Sequence, residues 1–171
     1  MEEKKSLFDE VASDTYDPSD RPFDFIAEGA RTALICESDP SIKAEIITTL
    51  KEMDYQITEI TSARDALKAM RFHVYDMVVF NEDFDTENPD ANHVLKYLGH
   101  LNMSTRRNIF VVLVSNRFRT MDNMAAFNKS VNTIINIENI DDFGTIIKRS
   151  VADNESFYYV FKESLKKMGR I

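Results

Sequence analysis

Thr32-Ala-Leu-Ile-Cys-Glu-Ser-Asp-Pro-Ser41 decides the fold. Its first half is a short continuous apolar run, the pattern of a strand covered on both faces. Its second half turns into a helix, with Asp39 as N-cap and Pro40 at the first helical position, where a missing N–H costs nothing. Ile42, Ile46, Leu50 and Met53 continue it at spacings of one helical stripe. Strand and helix then alternate. Gln56–Ile60 reads as a second strand, and Ser62 caps a helix carrying Ala63, Ala66, Leu67 and Met70. Asp76–Phe80 is a third strand, followed by a polar loop through Pro89 and a helix over about Asp90–Leu101 with Val94, Leu95 and Leu98 inward. Ile109–Val114 is the longest β run; a helix over Met121–Asn128, a strand over Val131–Ile135 and a helix over Ile140–Val151 follow.

Five apolar strands separated by helix-length segments predict an α/β fold with a doubly wound, five-stranded parallel sheet. Right-handed crossovers narrow the topology, and the flavodoxin-like order 2-1-3-4-5 is the expectation. An additional C-terminal helix is read over Asn154–Met168.

The chain has 171 residues, 43% hydrophobic and 29% charged, with a formal net charge of −8. Nine acids and three bases lie in residues 1–30, leaving 20 acids and 18 bases in the remainder, so the acidity is concentrated at the N-terminus. Pro18, Pro22 and the Ser/Asp-rich Ala12–Asp20 lack periodicity, and 1–30 is read as a flexible acidic arm, with Phe23, Phe25 and Ile26 available to pin its end. The organisation expected is that arm, a domain over 31–152 and a helical extension over 153–171. The net charge argues against nucleic-acid binding, and no apolar run approaches a membrane span. One cysteine, Cys36, excludes an internal disulfide and a cysteine-based zinc site, and a reducing cytoplasm is the expected setting.

In open α/β sheets, ligands bind beyond the carboxyl ends of the strands. The residues there are Glu37, Ser38 and Asp39, then Asn81, Glu82 and Asp83, then Ser115, then Asn136, Ile137 and Glu138. Other constellations carry less. Asp83, Asp85, Glu87 and Asp90 do not hold an EF-hand frame, because Asn88 stands where glycine should turn and Val94 where glutamate should close. His73, His93 and His100 share no metal spacing, and Cys36 reads as a buried hydrophobe. Arg106, Arg107, Arg117 and Arg119 flank the fourth strand at its two ends and do not form one basic patch.

Leu34-Ile-Cys-Glu-Ser-Asp-Pro40, Tyr75-Asp-Met-Val-Val-Phe-Asn81 and Val111-Val-Leu-Val-Ser115 together resemble the receiver domain of bacterial two-component response regulators, over about residues 31–152. The resemblance implies a phosphoacceptor aspartate after the third strand and two acids after the first that hold Mg²⁺. It also implies a hydroxyl residue after the fourth strand and a lysine after the fifth that contact the phosphoryl oxygens. Glu37 matches the first acid and Ser115 the hydroxyl. Ser38 stands at the second acid, Asn81 at the phosphoacceptor and Asn136 at the lysine. No register shift restores the lysine, since residues 130–147 contain neither Lys nor Arg.

An amide has neither the charge nor the nucleophilicity of a carboxylate. The expectation is therefore a non-phosphorylatable pseudo-receiver, not an enzyme, without a cofactor and with Mg²⁺ weak or absent; Glu37 and Asp83 are the weak metal candidates. It would act through protein partners, by resemblance on the face of the fourth and fifth helices and the last strand, with Asn81, Ser115 and Asn136 hydrogen-bonding one another. One alternative is a competent response regulator using a displaced acid such as Asp83. Another is a self-associating scaffold, a homodimer for example, using Phe157, Phe161 and Leu165 of the C-terminal helix.

Overall fold

The computed structural model describes residues 6–14 and 27–171. Strands β1 (Arg31–Cys36), β2 (Tyr55–Glu59), β3 (Met77–Asn81), β4 (Phe110–Ser115) and β5 (Thr133–Asn136) form one sheet in the order β2-β1-β3-β4-β5. Every pairing is parallel. This is the order expected from the sequence.

Alternation along each strand feeds two cores. Leu34, Cys36, Val78, Phe80, Val111, Leu113 and Ile134 point to one face, where α3 (Ala63–Phe72), α4 (His93–His100) and α6 (Asn123–Lys129) cover them. Ala33, Ile35, Met77, Val79, Val112, Val114 and Ile135 point to the other, under α2 (Pro40–Glu52) and α7 (Phe143–Lys167). Cys36 is fully buried, and burial followed by the neighbouring Glu37 charge raises its thiol pKa well above the usual range. It is a core side chain, not a nucleophile.

Helix starts follow their capping residues. Asp39 accepts the N–H groups of Ser41 and Ile42, and Ser62 accepts that of Asp65. Asn92 caps α4 through the Leu95 N–H, so this helix begins later than the sequence suggested, after a 3-10 turn over Pro89–Ala91. The one-turn helix α5 (Met103–Arg106) lies outside the sequence reading, and four residues are too few to show a periodicity.

Two expectations need correction. Residues 7–13 of the supposed flexible arm form a helix, α1 (Leu7–Ser13), with a Ser6/Asp9 capping box. Val11 is buried among α3 side chains, Phe8 stacks on Tyr97, and Arg64 bridges Glu10 and Asp14. Instead of repelling one another in solvent, Glu10 of α1 and Asp14 at its C-terminal cap meet Arg64 and Lys68 on α3. The reading of Phe23, Phe25 and Ile26 as anchors falls outside the described residues. We expect Val11→Asp to release α1, abolishing amide-exchange protection over residues 10–14 while leaving the strands protected.

The second correction is at the C-terminus. The helices expected over Ile140–Val151 and Asn154–Met168 are one 25-residue helix, α7, preceded by a 3-10 segment over Ile137–Asp142. No proline or glycine separates the two halves, so the hydrogen-bond ladder runs through Asp153 and Asn154 for a total length of about 37 Å. It ends where Gly169 takes a positive φ of 65° and Arg170 N–H returns to the Leu165 carbonyl. No helix among the described residues is long and apolar enough to cross a membrane.

Candidate functional site

The carboxyl ends of β1, β3 and β4 bring Glu37, Asn81, Glu82 and Ser115 together. Glu37 is buried directly after β1. Its Oε1 accepts the backbone N–H groups of Ser38 (2.8 Å) and Asp39 (2.9 Å), and its Oε2 accepts the Asn81 side-chain amide at 2.9 Å. Asn81 Oδ1 accepts the Asp83 N–H at 3.0 Å. That pair of bonds fixes the amide's orientation, because a flip would set oxygen against carboxylate and nitrogen against N–H. Ser38 is exposed and contributes its backbone.

One residue further on, Glu82 is also buried. Its N–H donates to the Val114 carbonyl, extending the β3–β4 ladder and holding its side chain beside Ser115. Glu82 Oε1 accepts the Ser115 hydroxyl at 2.6 Å and the Asn116 N–H at 3.1 Å. Oε2 accepts Arg117 Nε at 2.9 Å and Nη2 at 2.7 Å. Arg117 continues to Asp90, which Lys129 also meets at 2.8 Å. Burial alone would raise the Glu82 carboxyl pKa; hydrogen bonds from Arg117 and Ser115, with the guanidinium charge, outweigh it and hold the pKa below the usual value. Lys129 and then Arg117 likewise lower that of Asp90.

The remaining candidates go elsewhere. Asn136 donates its side-chain amide to the Phe118 carbonyl (2.8 Å) and its N–H to Thr120 Oγ1 (2.9 Å), so it fastens the loop after β4. No described hydrogen bond joins Asn81, Ser115 and Asn136 to one another, contrary to expectation: Glu37 takes the first, Glu82 the second and the Phe118 carbonyl the third. Asp83 is exposed, 3.5 Å from the Asn116 amide. Asp85 accepts the Ala63 N–H at the start of α3, so the acidic loop residues disperse to separate partners.

Sequence reasoning missed Glu82 and Arg117 as a pair. The signal was present: opposite charges one residue past Asn81 and two past Ser115, at the ends of adjacent strands. Asn92, whose amide reaches the Glu82 carbonyl at 3.0 Å, gave no such signal.

The residues do not fit the Mg²⁺ that the fold family implies. Of the three carried-over positions only Glu37 is a carboxylate, both of its oxygens accept N–H donors, and Asn81 presents nitrogen to it. Mg²⁺ needs anionic oxygens in near-octahedral array. Among the described residues, no three His, Cys, Asp or Glu side chains gather as a metal site.

No family model matches the chain, and no curated protein matches it. Solved structures do. The receiver domain protein (CheY-like) of Methanospirillum hungatei JF-1 superposes with a TM-score of 0.55 at 16% identity, over 75% of this chain and 98% of that one. A DNA-binding response regulator of the LuxR family from Staphylococcus aureus gives 0.53 at 17% identity, over 70% and 98%. A Francisella response regulator receiver domain gives 0.53 at 16%, over 70% and 95%. The sheet order, the crossovers and these superpositions agree: the chain has the receiver fold of response regulators.

Proposed function

We propose that this protein is a receiver-like signalling module that works by protein contact and is not phosphorylated. One observation carries the reading. The Ser115 hydroxyl, which the family resemblance assigns to a phosphoryl oxygen, is held by the Glu82 carboxylate, itself neutralised by Arg117. The pocket thus contains its own anion, and a phosphoryl group would have to displace a buried ion pair. Asn81 adds the second obstacle, since its amide is not a nucleophile at carbonyl or phosphorus centres. Residues 130–147 hold neither Lys nor Arg, so the end of β5 supplies no cation to balance an incoming charge. The pathway role is that of a two-component-like system, and the contact surface is the face of α6, β5 and the start of α7, where Met124 and Phe127 stand exposed on α6.

The test is intact-mass measurement after incubation with a small acyl phosphate and Mg²⁺. Unchanged mass is expected for the wild-type chain. It is also expected for Asn81→Asp, because the new carboxylate would face Glu37 with neither metal ligands nor a cation to support it. A phosphoryl group on Asp83, or on any acid of the site, overturns the reading.

A further inference from the structure

The parallel sheet gathers the N-terminal ends of its strands on one edge, about 20 Å from the Glu37–Ser115 end. β1 opens on Arg31, whose register partner on β2 is Tyr55. Asp76 stands just before β3, and its carbonyl accepts the Phe110 N–H at the start of β4. Arg107 lies in the turn leading into β4. Above this edge runs α7, on which Val151, Glu155 and Lys162 share one helix face, at spacings of four and seven residues. Strand ends and helix face enclose a cavity of about 200 Å³. Tyr55 and Phe110, both buried, supply its apolar part, and five charged side chains line it: Arg31, Asp76, Arg107, Glu155 and Lys162.

These five charges do not neutralise one another. Elsewhere opposite charges close into ion pairs, as Arg64 does with Glu10 and Asp14, and Lys129 with Asp90. No ion pair joins any two of the five. Arg31 is engaged as a wall, donating Nη2 to the Met53 carbonyl at 2.6 Å with its guanidinium 4.7 Å from the Tyr55 ring centroid. The other four are sorted by sign. Burial raises the Tyr55 hydroxyl pKa, and the charges of Arg31, Asp76 and Glu155 act on it next, so both carboxylates lie near that one hydroxyl. Lys162 is seven residues beyond Glu155, about 10 Å along the helix axis. It follows Phe161, whose ring lies 4.8 Å from the Arg107 guanidinium. Arg107 gives its Nε to the Met103 carbonyl at 2.8 Å, which leaves its two Nη groups for another acceptor.

We infer that this cavity binds a small zwitterion whose ammonium and carboxylate stand at opposite ends of a short chain, the chemistry of an ω-amino acid or a short peptide. A plain anion drawn to Arg107 and Lys162 would also meet Asp76 and Glu155, and a plain cation would meet the reverse. A molecule carrying both charges sets each end against the opposite sign through charge-assisted hydrogen bonds. Its chain then crosses Tyr55 and Phe110. The volume holds a metabolite-sized ligand and nothing larger. None of these residues takes part in the Glu37–Asn81 or Glu82–Ser115 contacts, so the inference stands apart from the proposed signalling role.

Amide shifts of the ¹⁵N-labelled full chain test it, titrated in turn with ε-aminocaproate, γ-aminobutyrate, glycylglycine and glycine. At least one of the first three is expected to move the amides of Arg31, Tyr55 and Asn108 and to bind more tightly than glycine, whose two charges are adjacent. Whichever binds most tightly names the source, and each of those results supports the site. Hexanoate and hexylamine, which carry one charge each, are expected to bind at least about tenfold more weakly, having lost one charge-assisted contact. Glu155→Gln and Lys162→Gln, at exposed positions, are expected to weaken the best ligand by about tenfold each while the melting temperature holds. Phe157→Ala, on another face of α7, is expected to leave binding unchanged. No shift with any zwitterion overturns the site, as does unaltered affinity in both glutamine variants. Hexanoate, hexylamine or glycine binding as tightly as the best of the others overturns the ligand class.

Discussion

Replacing Arg117 with methionine is expected to destabilise the domain by about 2–3 kcal/mol at neutral pH. Breaking one half of a buried ion pair typically costs about 3–5 kcal/mol, and the partial exposure of Arg117 discounts that figure. The cost falls on Glu82, whose side chain is 3% exposed and cannot recover its hydration. The converse variant, Glu82→Gln, is expected to cost less, because Arg117 is 39% exposed and turns to water and Asp90. The carboxamide oxygen of glutamine still accepts the Ser115 hydroxyl.

The pH dependence separates this explanation from lost packing. In the wild type the folded-state pKa of Glu82 is lowered, so its stabilisation is complete above the unfolded glutamate pKa and disappears as pH falls through the folded value. In Arg117→Met the guanidinium no longer offsets burial and the folded pKa moves upward, with only Ser115 and Asn116 still opposing it. That variant therefore loses less stability than the wild type as pH falls. Urea midpoints of the two proteins should therefore converge on acidification, and a difference independent of pH would refute the ion-pair account.

Truncating Phe143 to alanine is expected to cost about 3–5 kcal/mol, the range for a large aromatic removed from a close-packed core. Phe143 is wholly buried at the first turn of α7, in the cluster that contains Ile46 and Leu50 of α2. Its loss opens a cavity where α7 is attached to the sheet. At about 2–4 °C per kcal/mol for a chain of this size, the melting temperature should fall by roughly 6–20 °C. Phe157→Ala on the same helix provides the control: an exposed side chain changes stability by less than about 0.5 kcal/mol. Equal losses at the two positions would mean that the exposed half of α7 is packed as tightly as its start.

The comparison of these two phenylalanines marks what was legible. The sequence reads as two helices there, one holding each phenylalanine, and the apolar pattern of either helix does not tell a buried phenylalanine from an exposed one. The five strands were legible because each is apolar through its length, as burial on both faces demands. The caps at Asp39 and Ser62 were legible because the side chain and the N–H groups it accepts are adjacent in sequence. The absences in the site were legible too, since an amide at 81 and the lack of any cation from 130 to 147 are facts of composition.

What the residues present do was not legible. Asn81, Ser115 and Asn136 have the same hydrogen-bonding capacity in any fold; only the register that sets Asn81 beside Val114 puts Glu82 against Ser115 and within reach of Arg117. Likewise, an acidic segment reads as a repelled tail until the cationic face of α3 is built to receive α1. The sequence alone determined the layered architecture and the loss of the nucleophile and the ammonium, because burial periodicity and residue chemistry are local properties. Tertiary structure decided which charges meet, because pairing depends on distances across strands that are far apart in the chain.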